Sequence, residues 1–192
     1  MITDLGALDL NRKYSYADYL KWRLDEYVEL IKGKVWKMSP SPSVAHQKIS
    51  ARLSGIFYGL FESHSCEYFH APTDVRLFPK PSDQEVFTVV QPDLFVVCDQ
   101  SKLDDKGCQG APDLIVEILS PSTSKRDAQD KFELYQEAGV LEYWMVHPTE
   151  RYVHVFALKD GVFVRHHAYG ASDQFSPVIF PEMVINLEKV FS

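Results

Sequence analysis

One hydrophobic run, DLIVEILS at residues 113–120, constrains the fold more than any other segment of this chain. Apolar residues occupy neighbouring positions, so an extended strand here is hydrophobic on both faces, as in sheets that are covered on both sides. The segment RDAQDKFELYQEA follows and predicts a helix that ends at Gly139. A second strand-like segment, LEYWMVHP, comes next. The order strand, helix, strand indicates an α/β domain.

Capping and turn residues divide the rest of the chain into further elements. Residues 86–99 are expected to form one long strand and residues 100–112 a loop. The other expected elements are a loose arm over 1–13, a short helix capped by Ser15, a hairpin around Lys32-Gly33, a helix over 44–62, a turn and helix cap at 121–124, a hairpin turning at Asp160-Gly161 and a short closing helix in the tail. No repeat or low-complexity linker is present, so residues 1–192 are expected to form a single domain with a mixed central sheet.

Charge and hydropathy exclude two classes of protein. With 20 Lys and Arg against 27 Asp and Glu, the net charge is −7, which argues against a broad basic face that coats nucleic acid. Contact with DNA or RNA would need a local basic groove or bridging metal ions. The longest apolar runs are far shorter than the roughly 20 residues that span a bilayer, and no signal peptide is recognisable. We therefore expect a soluble protein without membrane partners.

The three cysteines, Cys66, Cys98 and Cys108, form no C-x-x-C pair. Their odd number and spacing are typical neither of a disulfide framework nor of a zinc finger. A reducing, cytoplasmic location is the simplest interpretation.

Three charged residues interrupt otherwise apolar elements and are therefore informative. Asp93 lies in VVQPDLFVV, Glu117 in LIVEIL, and Lys131 in the inward stripe of the following helix. Each has a structural explanation: an Asp that opens a strand and bonds a loop, a Glu in a buried ion pair, and a Lys at the stripe edge whose amine reaches water. Asp127, four residues before Lys131, is an alternative partner for that lysine.

Together these residues predict a small polar pocket. Two carboxylates on neighbouring buried strands, without His or thiolate ligands, favour a hard cation such as Mg²⁺ or Mn²⁺. A metal ion beside a lysine suits the attack of water on a phosphodiester, because both cations stabilise the added negative charge.

The same residues resemble those of a known family. The run QPDLFVV, followed by APDLIVEILSPSTSKRDAQDKFELYQEAGVLEYWMVHP, is similar to the Uma2 family, also called DUF820, within the PD-(D/E)xK nuclease superfamily. The upstream segments YSYADYL and VELIKGKVWKMSP resemble its N-terminal part. The resemblance covers residues 14–157 and implies a restriction-endonuclease-like αβββαβ core with an extra hairpin at each end.

The resemblance also implies roles for individual residues. By position, Asp93 and Glu117 would bind a divalent metal, and these two with Lys131 would be catalytic. The usual motif has Lys two residues after the Glu, where this chain has Leu119; Lys131 on the next helix takes its place, with Lys125 as the second choice. Glu29 and His46 match polar positions of the family's N-terminal part and would line the pocket from the side; the alternative for His46 is a surface position of its helix. Asp113 and Asp127 are the other expected pocket-lining residues.

The implied function is metal-dependent endonucleolytic hydrolysis of DNA, with the substrate bound in a local groove through metal ions. A catalytically degenerate fold that only binds nucleic acid or protein is the alternative, and the missing E-x-K lysine and the acidic net charge favour it. Paired active sites suit the cutting of two strands, so a homodimer is consistent with the implied activity.

Overall fold

The computed structural model describes residues 2–38, 42–120 and 125–192, with side chains from residue 128 onward in the last range. In chain order the helices and strands are α1 (Tyr16–Tyr19), β1 (Val28–Ile31), β2 (Lys34–Lys37), α2 (Val44–Phe61), β3 (Glu67–His70), β4 (Val75–Leu77), β5 (Thr88–Val90), β6 (Leu94–Val97), β7 (Leu103–Asp104), β8 (Gly107–Gln109), β9 (Leu114–Ile118), α3 (Lys125–Ala138), β10 (Glu142–His147), β11 (Tyr152–Lys159), β12 (Val162–Gly170), β13 (Gln174–Phe175), β14 (Ile185–Asn186) and α4 (Leu187–Phe191). Short 3₁₀ turns lie at Leu5–Ala7 and Gln100–Lys102.

The larger strands form two mixed sheets of six strands each. The N-terminal sheet has the order β2-β1-β5-β4-β8-β7, and the central sheet has the order β12-β11-β10-β9-β6-β3. In the central sheet β9 and β10 are parallel, as a strand–helix–strand crossover through α3 requires, whereas the other neighbours are antiparallel. This mixed architecture confirms the expected fold class.

Helices cover both faces of the central sheet. Helix α2 packs on one face with the C-terminal segment, and α3 packs on the other, where the N-terminal sheet also joins the core. Strand β9 lies between β6 and β10 and is buried at all five positions, as its continuous apolar sequence predicts. Among the described helices none combines the length and the hydrophobicity needed to cross a membrane.

The expected long strand over 86–99 is wrong. It is two strands in two sheets: β5 pairs with β1 and β4, and β6 pairs with β3 and β9. The break falls at residues 91–93, where Pro92 cannot donate to a β-ladder. Consequently the chain crosses from one sheet to the other directly before Asp93.

Two other segments are more ordered than expected. Residues 100–112 contain a 3₁₀ turn and the two short strands β7 and β8 rather than a plain loop. The N-terminal arm is not loose, because Ile2 bridges to Trp22 and Leu8 is buried in the N-terminal core. Apolar residues inside a polar arm give this segment its attachment.

The cysteines also differ from expectation. Cys66 and Cys98 form a disulfide, while Cys108 is free and buried. The two bonded residues flank β3 and β6, whose antiparallel register places Glu67 opposite Val97. The disulfide therefore closes the end of this ladder, a proximity that sequence spacing alone does not reveal.

Most local predictions are confirmed. Ser15 caps α1 in a reciprocal capping box with Asp18, and Ser43 caps α2. Both hairpins turn on residues with positive φ, at Lys32-Gly33 and Asp160-Gly161. The helix over α3 ends at Gly139 with φ +86°, and a short helix, α4, closes the chain. The turn and cap expected at residues 121–124 lie outside the described residues.

Candidate active site

Glu117 stands at the centre of a buried polar cluster on the α3 side of the central sheet. It is only 8% exposed and lies on β9, a strand whose other four residues are apolar and buried. Its Oε1 accepts a hydrogen bond from Lys131 Nζ at 2.9 Å and another from the Tyr135 hydroxyl at 2.6 Å. Both donors come from α3, one helical turn apart, so the amphipathic stripe of that helix supplies them together.

Lys131 bridges two carboxylates. Its Nζ lies 2.9 Å from Glu117 Oε1 and 2.9 Å from Glu29 Oε1, and the three side chains are 82% or more buried. Burial lowers the pKa of the Lys131 amine, but the two carboxylates outweigh it and hold the pKa above its ordinary value. Lys131 therefore remains protonated. The buried ion pair that was one explanation for Glu117 is present, and it includes Glu29 as a second carboxylate.

Glu29 brings the N-terminal sheet into the site. It lies on β1, is 4% exposed, and its Oε1 also accepts a hydrogen bond from the Gln91 backbone N–H at 2.9 Å. Gln91 belongs to the break between β5 and β6. The cluster thus joins residues from both sheets at the point where the chain passes between them.

Asp93 occupies the same break, immediately before β6. Its Oδ2 accepts a hydrogen bond from the Ile118 backbone N–H at 2.7 Å, which fixes it beside Glu117 on the neighbouring strand. Its Oδ1 lies 3.2 Å from His46 Nε2. The carboxylate is therefore oriented by one strand and one helix. Asp93 also directly precedes β6, as expected for an Asp at the start of a strand.

His46, near the start of α2, is 9% exposed. Burial lowers the pKa of its imidazole, but the hydrogen bond and the charge of Asp93 raise the pKa above its ordinary value. His46 Nδ1 has no hydrogen-bond partner within the described part of the chain. The residue therefore belongs to the cluster and is not a surface position of α2.

Burial dominates the electrostatics of Glu117. It raises the pKa of this carboxyl from 4.5 to about 7; Lys131 opposes the shift, and the charges of Asp93 and Glu29 add to it. When Glu29, Asp93 and Glu117 are all ionised they carry three negative charges, and Lys131 with a protonated His46 balances only two of them. Such a site favours an additional cation.

Of the remaining predicted residues, Asp113 does not join this cluster. Asp113 accepts a hydrogen bond from the Cys98 N–H at 2.8 Å, and Cys98 follows β6 whereas Asp93 precedes it, so Asp113 lies at the opposite end of the strand pair. It is not pocket-lining, because it closes that end of the ladder. The side chains of Lys125 and Asp127 lie outside the described residues.

Sequence reasoning missed two contributors. Tyr135 lies four residues after Lys131 and shares its face, but a tyrosine in an apolar stripe is not distinguishable by sequence from a core residue. Gln91 contributes through its backbone N–H, which no side-chain pattern reports, and its amide also bonds Asp74 Oδ1 at 2.9 Å and the Tyr19 hydroxyl at 3.2 Å. Hydrogen bonds therefore connect α1 with Glu29.

The donor chemistry fits a hard divalent cation. Asp93 and Glu117 present carboxylate oxygens from adjacent positions, and Mg²⁺ in nucleotide-processing sites often takes one or two carboxylates, with water and phosphate completing its coordination. Among the described side chains, no group of three or more His, Cys, Asp or Glu is arranged to enclose an ion.

Known proteins share this fold. The family described as "Uma2: Putative restriction endonuclease" matches residues 16–188. The uncharacterized protein slr1290 of Synechocystis is 30% identical over 151 residues, which cover 77% of this chain and 76% of the relative. The crystal structure of a "putative nuclease belonging to DUF820" from Anabaena variabilis superposes with a TM-score of 0.72 at 19% identity, over 92% of this chain and 97% of that one.

The mixed sheet and its crossover helix are those of a restriction-endonuclease-like fold. The family match spans most of the chain and agrees with the solved neighbour in fold. The chain belongs to the Uma2 family.

Proposed function

We propose that this protein is a divalent-metal-dependent endonuclease that hydrolyses phosphodiester bonds of DNA. One observation carries the proposal: the buried ammonium of Lys131 lies between the carboxylates of Glu29 and Glu117. Glu117 is in turn on the strand next to Asp93. An oriented acidic pair with a fixed cation matches what phosphodiester hydrolysis demands, because negative charge builds on the phosphate as water attacks.

Asp93 and Glu117 would hold Mg²⁺ or Mn²⁺. When bound, the metal supplies Lewis acidity and lowers the pKa of a coordinated water. The protein contributes the orientation of the ligands: the Ile118 N–H and His46 fix Asp93, and the Tyr135 hydroxyl fixes Glu117. These hydrogen bonds limit the reorganisation needed when a substrate arrives.

Lys131 acts as a charge rather than as a base in this proposal. Since two carboxylates keep its amine protonated, it cannot accept a proton from water near neutral pH. Its ammonium would instead stabilise the developing charge on the phosphate. Glu29 positions it from the opposite side, and this arrangement replaces the lysine that the usual motif has at the place of Leu119.

The decisive test compares Lys131→Met with Lys32→Met. Lys32 also pairs with a glutamate of α3, Glu137, but at the surface, with 63% of its side chain exposed. With plasmid DNA and Mn²⁺ or Mg²⁺, we expect Lys131→Met to lower the cleavage rate by about two to four orders of magnitude and Lys32→Met to leave it nearly unchanged. A parent protein that cuts no DNA, or a Lys131→Met variant that cuts at the parental rate, would contradict the proposal.

Metal binding is tested separately by calorimetry. Asp93→Asn and Glu117→Gln keep the shape of each side chain and remove its charge, so Mn²⁺ affinity should fall in both. If these variants bind Mn²⁺ as the parent does, the metal lies elsewhere. Circular dichroism on each variant ensures that loss of binding is not loss of fold.

A binding module without catalysis is the second candidate. It is favoured by the position of the Lys131 ammonium, which already neutralises part of the acidic cluster. DNA binding that needs no divalent metal, together with no cleavage in Mg²⁺ or Mn²⁺, would identify this function.

A further inference from the structure

A row of rings emerges from beneath α3 on strands β10 and β11. His147 stacks on Tyr152 with ring centroids 4.1 Å apart, and His154 meets both rings edge-on, at 5.2 Å from His147 and 4.8 Å from Tyr152. At its inner end the row continues to Phe156, which Phe132 of α3 covers at 5.0 Å. Its outer end at Tyr152 is only partly buried.

The strand register places this row on the same sheet face as the acidic cluster. Glu117 pairs with Met145, and Met145 pairs with His154, so these three side chains point the same way. His147 and Tyr152 are paired one step further along, on the same face. Strand spacing and rise put the His147 Cα about 8 Å, and the Tyr152 Cα about 12 Å, from that of Glu117. A bound strand covers this distance in roughly two to four nucleotides.

The row has features of a ligand site as well as of packing. His147 Nε2 is buried without a hydrogen-bond partner among the described residues, which is unusual for a polar atom in a packed position. Burial lowers the pKa of the His147 and His154 imidazoles, and the neighbouring charges of His154 and Arg165, respectively, add to the shift. Neutral imidazoles offer flat aromatic faces with one donor and one acceptor each.

A metal site is the competing explanation for two histidines on adjacent strands. It is not supported, because the described residues contain no set of three or more potential ligands around this row. Aromatic faces beside a positive side chain are instead typical of surfaces that hold unpaired bases. Arg165 supplies that charge, since it pairs with Phe156 and so lies on the same face.

We propose that His147, Tyr152 and His154 form a stacking site for a nucleobase of the strand bound at the acidic cluster. The proposal rests on the proposed function, which places a DNA strand at the acidic cluster. In this inference an unstacked base binds beside the acidic cluster, which favours single-stranded or locally opened DNA as the substrate.

Binding of a labelled oligodeoxynucleotide tests the site. Fluorescence anisotropy is measured with Ca²⁺ in place of Mg²⁺, for a 12-nucleotide thymidine strand and for an abasic strand of equal length. Tyr152→Leu keeps an apolar side chain without a ring and should weaken thymidine-strand binding roughly ten- to a hundredfold, whereas Tyr152→Trp should retain it. His167→Ala is the matched control, because His167 pairs with Val155 on the opposite face.

The outcomes separate this inference from the proposed function. Parent binding of both strands with equal affinity, or unchanged binding by Tyr152→Leu, overturns the stacking site even if plasmid is cut. Preferential binding of the thymidine strand that Tyr152→Leu abolishes supports the site, even if the parent never cleaves DNA in Mg²⁺ or Mn²⁺. Binding of neither strand overturns the site as well.

Discussion

At the residue scale, Lys131 matters for stability as well as for the proposed chemistry. Its removal would leave Glu29 and Glu117 buried and facing each other without their shared cation. Breaking a buried ion pair by removing one partner costs about 3–5 kcal/mol, so we expect Lys131→Met to lower the free energy of unfolding by this amount. Adding Glu29→Gln, which keeps an oxygen for the Gln91 N–H, should recover part of the loss, as urea unfolding of the double-mutant cycle would measure.

The pH dependence of that loss has a definite sign. Burial raises the pKa of Glu117 from 4.5 to about 7. Its favourable contribution to the free energy of unfolding is therefore complete below pH 4.5 and is lost as pH rises through 7. Lys131 opposes this rise in the pKa of Glu117, so the stability lost at high pH is greater in its absence. In metal-free buffer the stability gap between parent and Lys131→Met should therefore be larger at pH 8 than at pH 5, and an equal gap at both pH values would contradict the assignment.

Cys108 gives a second prediction at this scale. Burial raises the pKa of its thiol from 9.0 to about 12, so the folded protein keeps it neutral and loses stability as pH rises from 9 to 12. A thiol reagent at pH 8 should find almost no reactive cysteine in the native protein. It should titrate one per chain after denaturation and three after reduction as well. Three without reduction would contradict the disulfide.

At the element scale, two glycines predict opposite effects of the same substitution. Gly107 has φ +114°, and a Cβ there would lie 2.2 Å from the Asp74 carbonyl oxygen, so Gly107→Ala must displace β8 from β4. Gly55 is exposed in the interior of α2, where a Cβ meets nothing within 4 Å. We expect Gly107→Ala to destabilise by more than 2 kcal/mol. Gly55→Ala should instead stabilise by about 0.5–1 kcal/mol.

Thermal unfolding of both variants measures the difference. A melting temperature for Gly107→Ala that equals the parental one would mean that the β4–β8 approach is looser than described. Gly59, also exposed in α2 with open space around it, provides an independent repeat of the stabilising substitution.

Elements were predictable from the sequence where local chemistry decides them. Ser15, Ser43 and Gly139 mark helix ends through caps, and Gly33 and Gly161 mark hairpin turns through their positive φ. Pro92 is a sequence signal for a break within residues 86–99. The assignment of the two halves to different sheets was not predictable, because both have the same β-prone composition and only long-range pairing separates them. The sequence located Glu117 and Lys131 by their polarity in apolar elements, but Gln91 acts through its backbone and leaves no such signal.

At the scale of the whole molecule, net charge sets the conditions for binding. With a charge of −7 the protein repels phosphate at long range, so its contact with DNA must depend on bridging cations and on local positive groups. If the proposed function holds, DNA affinity should fall steeply with salt and be restored by Mg²⁺ or Mn²⁺. Anisotropy across a salt series, with and without EDTA, measures both. Tight binding in EDTA at physiological salt would contradict this prediction.

The joining of two sheets at the acidic cluster has a consequence for folding. Glu29 and Lys131 are separated by 102 residues in sequence, so their contact closes a long loop of chain. Closing such a long loop costs chain entropy before the contact can contribute to stability. A nascent or partly folded chain would therefore carry Glu117 without the neighbours that orient it. If the proposed function holds, hydrolytic capacity would emerge only with the complete native structure, and incomplete chains would leave the surrounding nucleic acid uncut.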